Sequence, residues 1–188
     1  TGNIVPAGTL RIDAAPAWNG YGASSAMKGW TGAACGRGIS LTSVSNLGGI
    51  TITIRGYDVY GAPLTQTMLG PNNNTVASIK CFKWITSVTP GASNVGTMSI
   101  GTADLFEFPI MARRFSQTEI WWNETKITAN TGFLTAVTTN PSTAALGSTR
   151  GTYATQDASD GTKRLVVVQR ILPADLTTLT SIFGQTAI

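Results

Sequence analysis

The stretch Gly49-Ile50-Thr51-Ile52-Thr53-Ile54-Arg55-Gly56 carries the clearest two-residue period of this chain. Three isoleucines alternate with two threonines and an arginine, so one face of an extended segment would be apolar and the other polar. This alternation is typical of a half-buried antiparallel strand. The sequence therefore predicts that the chain is organised around a β-sheet whose central strand lies here.

Further strands are predicted on both sides of this stretch, separated by turn residues. Ile39–Thr42 precedes it, and residues 64–69 follow a loop that contains Gly61 and Pro63. A longer strand at residues 77–88 is expected to bend near Phe82. The remaining predicted strands are residues 95–100, ending at Gly101, and residues 119–122, 126–128, 132–138, 149–155 and 163–171. We expect a turn at Asn123-Glu124, and a hairpin at Asp160-Gly161 that pairs the last two strands.

This pattern predicts an all-β protein, an antiparallel β-sandwich of jelly-roll or immunoglobulin-like type. Residues 1–37 are expected to form an extended N-terminal arm, in which residues 9–13 could pair as a strand and residues 14–35 are rich in Gly, Ala and Ser and lack strand or helix spacing. Residues 38–188 are expected to form the sandwich domain, with 38–101 as a core module and 102–188 as additional strands and a tail. A short C-terminal helical turn is predicted at residues 173–183.

The charge pattern argues against nucleic acid as a partner. Only 12% of the 188 residues are charged, and the net charge is +4. Residues 1–101 hold six basic and two acidic residues, whereas residues 102–188 hold seven of each, and no basic stripe is formed. So few charges predict a surface that is partly covered by partner chains, and a weakly cationic face suits an acidic protein surface.

The chain contains no histidine and only two cysteines. The missing histidine excludes a Ser-His-Asp triad, a Cys-His pair and the common zinc sites. We therefore expect no enzyme activity, no cofactor and no metal. Cys35 and Cys81 could pair, although two free thiols are the favoured interpretation. Because there is no basic segment followed by an apolar one, and no apolar run of membrane-spanning length, we expect cytoplasmic synthesis and no membrane partner.

Two groups of residues resemble sites but have simpler interpretations. Glu119 and Glu124 flank Trp121-Trp122, a combination found in glycosidases and carbohydrate sites. In a strand, however, the two tryptophans would point to opposite faces, one into the core and one to an interface. The second group is the loop aspartates Asp58, Asp157 and Asp160, which lack the spacing of a calcium loop and are ordinary turn formers.

The turn glycines and alternating threonines follow a pattern that resembles a module of virion structural proteins of tailed bacteriophages. The segments that carry the resemblance are 36–43, 49–61, 65–67, 70–72, 82–83, 85–89 and 95–101, with 150–153 and 160–165 near the end. Together they make up 51 of the 188 residues, a little over a quarter of the chain.

The resemblance implies a capsid decoration or cement protein, which would bind the outside of the phage head and stabilise neighbouring major capsid subunits. Its partners would be the major capsid protein and further copies of itself, as a dimer or trimer. An alternative is a tail or host-adsorption component that binds cell-surface glycan. The expected interface residues are Trp18, Tyr21, Trp30, Arg113, Arg114, Trp121 and Trp122.

Overall fold

The computed structural model describes residues 2–4, 10–11, 35–92, 97–137, 147–160 and 162–171, and these form an all-β structure with antiparallel sheets. Most of the expected arm and the predicted helical turn at 173–183 lie outside these residues. The strands are β1 (Gly2–Ile4), β2 (Leu10–Arg11), β3 (Arg37–Thr42), β4 (Thr51–Tyr57), β5 (Pro63–Leu69), β6 (Thr75–Phe82), β7 (Trp84–Pro90), β8 (Met98–Glu107), β9 (Thr118–Trp122), β10 (Thr125–Lys126), β11 (Phe133–Leu134), β12 (Thr152–Ala154) and β13 (Leu165–Gln169).

Three sheets are formed within the described ranges. The first has the order β11-β12-β8-β3-β6, and β1 also pairs with β8. The second has the order β2-β7-β4-β5, and the third has the order β10-β9-β13. Among the ranges that the structure describes, no helix is long and apolar enough to cross a membrane.

The first and second sheets pack face to face over one hydrophobic core, which makes this part a β-sandwich. The alternating isoleucines of the central stretch behave as predicted, since Ile52 and Ile54 of β4 are buried while Thr51 and Arg55 are exposed. They meet Ile39 and Leu41 from β3 of the opposing sheet. All buried members of this core lie between Ile39 and Ile100.

A second core lies under the third sheet. Its buried residues include Phe108, Ile120, Trp122 and Tyr153, and Leu165 and Val167 pack against them. β8 contributes to the first core at its start and reaches the second core at its end. The predicted division of the domain at residue 101 stays a prediction.

The chain crosses from the first sheet to the second at Lys83, where β6 ends and β7 begins. This confirms the bend predicted near Phe82. The edges of the two sheets are also joined by side chains, because Gln66 Oε1 accepts hydrogen bonds from the backbone N–H groups of Ile79 (3.1 Å) and Lys80 (2.9 Å). Lys80 Nζ donates in turn to the carbonyl of Thr65 at 2.9 Å.

Two predictions about the strands were wrong. The strand expected to end at Gly101 continues to Glu107, because Gly101 pairs with Ser40 inside the sheet. The strands expected to pair across Asp160-Gly161 lie in different sheets: β12 pairs with β8 and β11, and β13 pairs with β9. The Asp160 side chain instead binds the backbone N–H groups of Thr162 and Lys163, which forms a local turn but not a hairpin.

Gly56 is required by the close approach of β4 to β7. The register between these strands shifts between Arg55 and Gly56, and Gly56 lies opposite Ile85 of β7. A Cβ atom at position 56 would lie 2.0 Å from the carbonyl oxygen of Trp84. The backbone of a central strand cannot move away without breaking its hydrogen bonds to β5 or β7.

We therefore expect Gly56→Ala to destabilise the fold by about 3 kcal/mol or more, in the range of overpacked cores. Urea unfolding followed by tryptophan fluorescence measures the change. Gly49→Ala is the matched control, because a Cβ atom there meets nothing within 4 Å. Equal stability of the two variants would contradict the interpretation of the close approach.

Candidate interaction face and the buried charge cluster

The third sheet presents an outer face with an apolar centre. Val166 and Val168 of β13 point away from the core and are 49% and 55% exposed. Trp121 of β9 lies directly beside Val166 in the sheet and is half-buried. Lys126 of β10 flanks Trp121 on its other side. We call the residues Trp121, Lys126, Val166 and Val168, together with Glu119, the outer face.

Charged groups frame the apolar centre of the outer face. Lys126 Nζ lies 5.8 Å from the centre of the Trp121 ring and 3.4 Å from Glu119 Oε2. Both charged side chains are about half exposed, so their ion pair contributes little to stability. The outer face can therefore present a tryptophan ring, two valines and a paired charge to a partner.

The prediction that the Trp121 and Trp122 rings lie on opposite faces of β9 is confirmed, whereas the expected interface role of Trp121 stays a prediction. Trp122 is only 5% exposed and packs in the second core, where its indole N–H donates to Asp157. It presents no ring surface to a partner, because residues alternate along a strand and Trp121 takes the outer position.

The other expected interface residues have different positions. Arg113 and Arg114 are exposed and come just before a 3-10 turn at Phe115–Gln117 that leads into β9. Trp18, Tyr21 and Trp30 lie outside the described residues. Glu124 is exposed in the tight turn between β9 and β10, where both Asn123 and Glu124 have positive φ angles, which confirms the predicted turn.

A second notable site is a cluster of buried charges where the two cores meet. Arg150 Nη1 lies 2.7 Å from Asp58 Oδ2, and Arg150 Nη2 lies 2.5 Å from Glu107 Oε2. All three side chains are at most 1% exposed. Arg150 Nε donates to the carbonyl of Phe108 at 3.1 Å, and Ser148 donates to Glu107. We call these residues, Asp58, Glu107, Ser148 and Arg150, the charge cluster.

The charge cluster ties separate segments together. The Asp58 carboxylate also accepts from the N–H groups of Tyr60 (2.9 Å) and Ala62 (2.7 Å), which shapes the turn between β4 and β5. The Tyr60 ring covers the Arg150 guanidinium at 4.9 Å, and its hydroxyl donates to Pro109. Because the carboxylates are sealed from solvent, the geometry is that of a structural ion network, and no reactant reaches it.

Burial raises the pKa of Glu107 to about 7, against the opposing effects of the Arg150 charge and the Ser148 hydrogen bond. The main physical reason is the desolvation of a buried carboxylate, and the nearby charge of Asp58 raises the pKa of Glu107 further by a smaller amount. With Glu107 ionised the three charged groups have a net negative charge, and with Glu107 protonated they are neutral.

Sequence reasoning missed most of this cluster. The sequence predicts Asp58 as a turn former in place of a calcium ligand, and Arg150 enters only as part of a segment that carries the resemblance. The available signal was Glu107 itself, a single acid between Phe106 and Phe108 in a chain with few charges. Val166 and Val168 fall within the strand predicted at residues 163–171, but their exposure on the outer face was not predicted.

The cysteines and loop aspartates offer no further site. Cys35 and Cys81 are free thiols, and burial raises the pKa of both, so neither is activated as a nucleophile. Within the described ranges, no three Cys, Asp or Glu side chains are grouped as metal ligands.

No protein-family model, curated protein or solved structure matches the chain.

The charge cluster predicts an unusual dependence of stability on pH. Because the pKa of Glu107 is about 7 in the folded chain and about 4.5 when exposed, the folded state binds more protons between these values. The free energy of unfolding should therefore fall as the pH rises from about 4.5 to 7, by up to about 3 kcal/mol from this group.

Glu107→Gln should remove this fall, because the amide stays neutral at every pH. Urea unfolding at pH 5, 6, 7 and 8 compares the variant with the unaltered chain. Glu119→Gln, at an exposed position of the outer face, is the control and should keep the original pH dependence. Identical pH profiles of the Glu107 variant and the unaltered chain would show that Glu107 is ionised throughout.

Proposed function

We propose that this chain is a non-enzymatic virion structural protein that binds the outside of a tailed-bacteriophage head and holds neighbouring major capsid subunits together. The observation that carries the proposal is the outer face, a flat sheet surface with an exposed apolar centre on a chain that resembles phage virion modules. Such a surface gains affinity by burying area against a partner and needs no chemistry.

The physical character of the chain supports this role. The outer face is formed by side chains of three paired strands, so it can bind a partner without refolding. The low proportion of charged residues supports extensive contact with other subunits, and the proposed self-association into a dimer or trimer would cover more of this surface.

The alternative is a tail or adsorption component that binds glycan. The half-buried ring of Trp121, between the charged groups of Lys126 and Glu119, is the feature that favours it, because sugars stack on aromatic rings beside hydrogen-bonding groups. The number of copies per virion separates the two functions: a number close to that of the capsid protein supports cement, and a few copies at the tail support adsorption.

The outer face is tested by the double substitution Val166→Thr and Val168→Thr, which keeps side-chain shape and strand preference but makes the surface polar. We expect affinity for expanded heads that lack this protein to fall by about tenfold or more, measured by co-sedimentation. The chain should unfold at an unchanged urea concentration.

Val44→Thr is the matched control, because Val44 is 85% exposed and lies outside the third sheet. It should bind heads as well as the unaltered chain does. If the double variant also binds heads with full affinity, the outer face is not the binding surface. If the unaltered chain does not bind heads at all, the proposed function is wrong.

The aromatic residues of the arm are tested separately. β1 and β2 pair with β8 and β7, so deleting residues 1–30 would also expose the edges of two sheets. Replacing Trp18, Tyr21 and Trp30 together by alanine leaves the residues of both strands in place. We expect weaker head binding in the same co-sedimentation assay, because aromatic residues supply much of the energy of interfaces. Unchanged binding would show that these three side chains do not contact the head.

A further inference from the structure

β13 is an edge strand, and its second edge is not paired with any strand in the described part of the chain. It pairs with β9 along its whole length, from Leu165 opposite Trp122 to Gln169 opposite Thr118. Beyond its ends the ladder continues, since Asn123 N–H donates to the Arg164 carbonyl and Arg170 N–H donates to the Gln117 carbonyl, both at 2.9 Å.

These two bonds define which backbone groups point outward. In an antiparallel ladder, alternate residues direct their N–H and C=O groups to the same neighbour. Arg164 and Arg170 face β9, and so do Val166 and Val168, which lie at the same alternation. Leu165, Val167 and Gln169 therefore direct their backbone N–H and C=O groups to the open edge.

The open edge of β13 lacks the features that usually prevent strand addition. Natural edge strands are protected by proline, by a bulge, by a central charge or by being very short. The five residues Leu165-Val166-Val167-Val168-Gln169 contain no charge and no proline, and their register with β9 is regular. A further strand can therefore pair with all three outward-facing residues.

Basic residues lie at both ends of this edge. Arg164 and Arg170 are exposed, and both fall on the outer-face side of the strand because they share the alternation of Val166 and Val168. They are six positions apart, which corresponds to about 20 Å along the strand. An added strand with acidic residues six positions apart would place one carboxylate beside each arginine.

The same charges disfavour a second copy of this chain as the added strand. Two β13 strands paired antiparallel around Val167 would place Arg164 of each copy beside Arg170 of the other. Like charges directly opposite each other are destabilising, so the ends of such a pair would repel. Charge complementarity thus favours an acidic partner over self-pairing at this edge.

An open hollow continues from the Arg170 end of the strand. Its apolar walls are formed by Ile110, Met111 and Ile171. Gln169 also lines the hollow, and its Nε2 donates a hydrogen bond to the Ile110 carbonyl at 3.1 Å. Gln117 and Thr118, where the paired strand β9 begins, also line the hollow, so it lies across the end of the β9–β13 pair. The hollow is therefore not part of the open edge.

We propose that the open edge of β13 is a strand-addition site for an extended segment of another protein that carries acidic residues six positions apart, with apolar residues between them on the same face. The backbone hydrogen bonds supply affinity, and Arg164 and Arg170 select the partner by charge. This site is separate from the proposed function, since it specifies how a partner segment binds whatever particle that partner belongs to.

The probe is a capped, fluorescent peptide of sequence Glu-Thr-Val-Thr-Val-Thr-Glu, and binding to the full chain is measured by fluorescence anisotropy. Two control peptides accompany it: one with lysine in place of both glutamates, and one with proline in place of the central threonine and the valine after it, which removes one N–H group from each edge of the peptide whichever way it runs. We expect the first peptide to bind at least about tenfold more tightly than either control at low salt.

The double variant Arg164→Glu and Arg170→Glu should reverse the charge preference, binding the lysine peptide about tenfold more tightly than the glutamate peptide. Failure of this reversal, or equal binding of the proline peptide, would overturn the proposal. Peptide binding by a chain that does not bind phage heads would support this site and contradict the proposed function.

Amide hydrogen exchange identifies the edge directly. In the unbound chain the outward N–H groups of Leu165 and Val167 should exchange quickly, while those of Val166 and Val168 are protected by β9, and the glutamate peptide should then protect the outward pair. Protection of the outward pair in an unbound monomer would mean that another part of this chain occupies the edge. Protection in a dimer would mean that a second copy does, and either result overturns the proposal.

Discussion

The contact between the Arg150 guanidinium and the carboxylates of Asp58 and Glu107 is the interaction on which the arrangement of the two cores depends. Asp58 belongs to the turn that follows β4 in the second sheet, whereas Glu107 ends β8 in the first sheet. Arg150 lies two residues before the start of β12, which completes the wall of the second core. A buried cation without its acids would cost several kcal/mol, so these three segments are held to one geometry.

The outer face depends on this arrangement indirectly, through the second core. Tyr153 and Phe108 form the floor of the second core, and both are positioned by segments adjacent to the charge cluster. β9 and β13 rest on that floor through Ile120, Leu165 and Val167. Their alternate residues, Trp121, Val166 and Val168, are therefore presented outward on a rigid support. The surface that we propose as a binding site is a consequence of packing beneath it.

The fold class could be predicted from the sequence because alternation and turn residues are local signals. The alternating isoleucines of β4, the bend before β7 and the Asn123-Glu124 turn all follow from nearest neighbours along the chain. Strand pairing could not be predicted in the same way. β12 and β13 are consecutive, yet they join different sheets because the second core places β13 beside β9. The charge cluster was equally inaccessible, since its members become neighbours only after both cores assemble.

The candidate site could be predicted only in part, because local signals assign faces of a strand but do not determine which strands pair. The alternation of side chains along a strand assigned the two tryptophans to opposite faces of β9, but it gave no information on which strand would lie beside Trp121. The valines of β13 complete the outer face through a pairing between residues 45 positions apart, Val166 and Trp121. Residue identity indicated the chemistry of an interface, and tertiary structure determined which residues share it.

The long span of the charge cluster has a consequence for how the molecule can be divided. Asp58 and Arg150 are 92 residues apart in the chain, so any cut between them separates the two partners. A fragment that ends near residue 101 would retain the whole first core but would bury Asp58 without its cation, and the complementary fragment would bury Arg150 with one acid missing. The two cores are thus distinct in packing but share one buried ion network, to which each contributes a charge that the other needs.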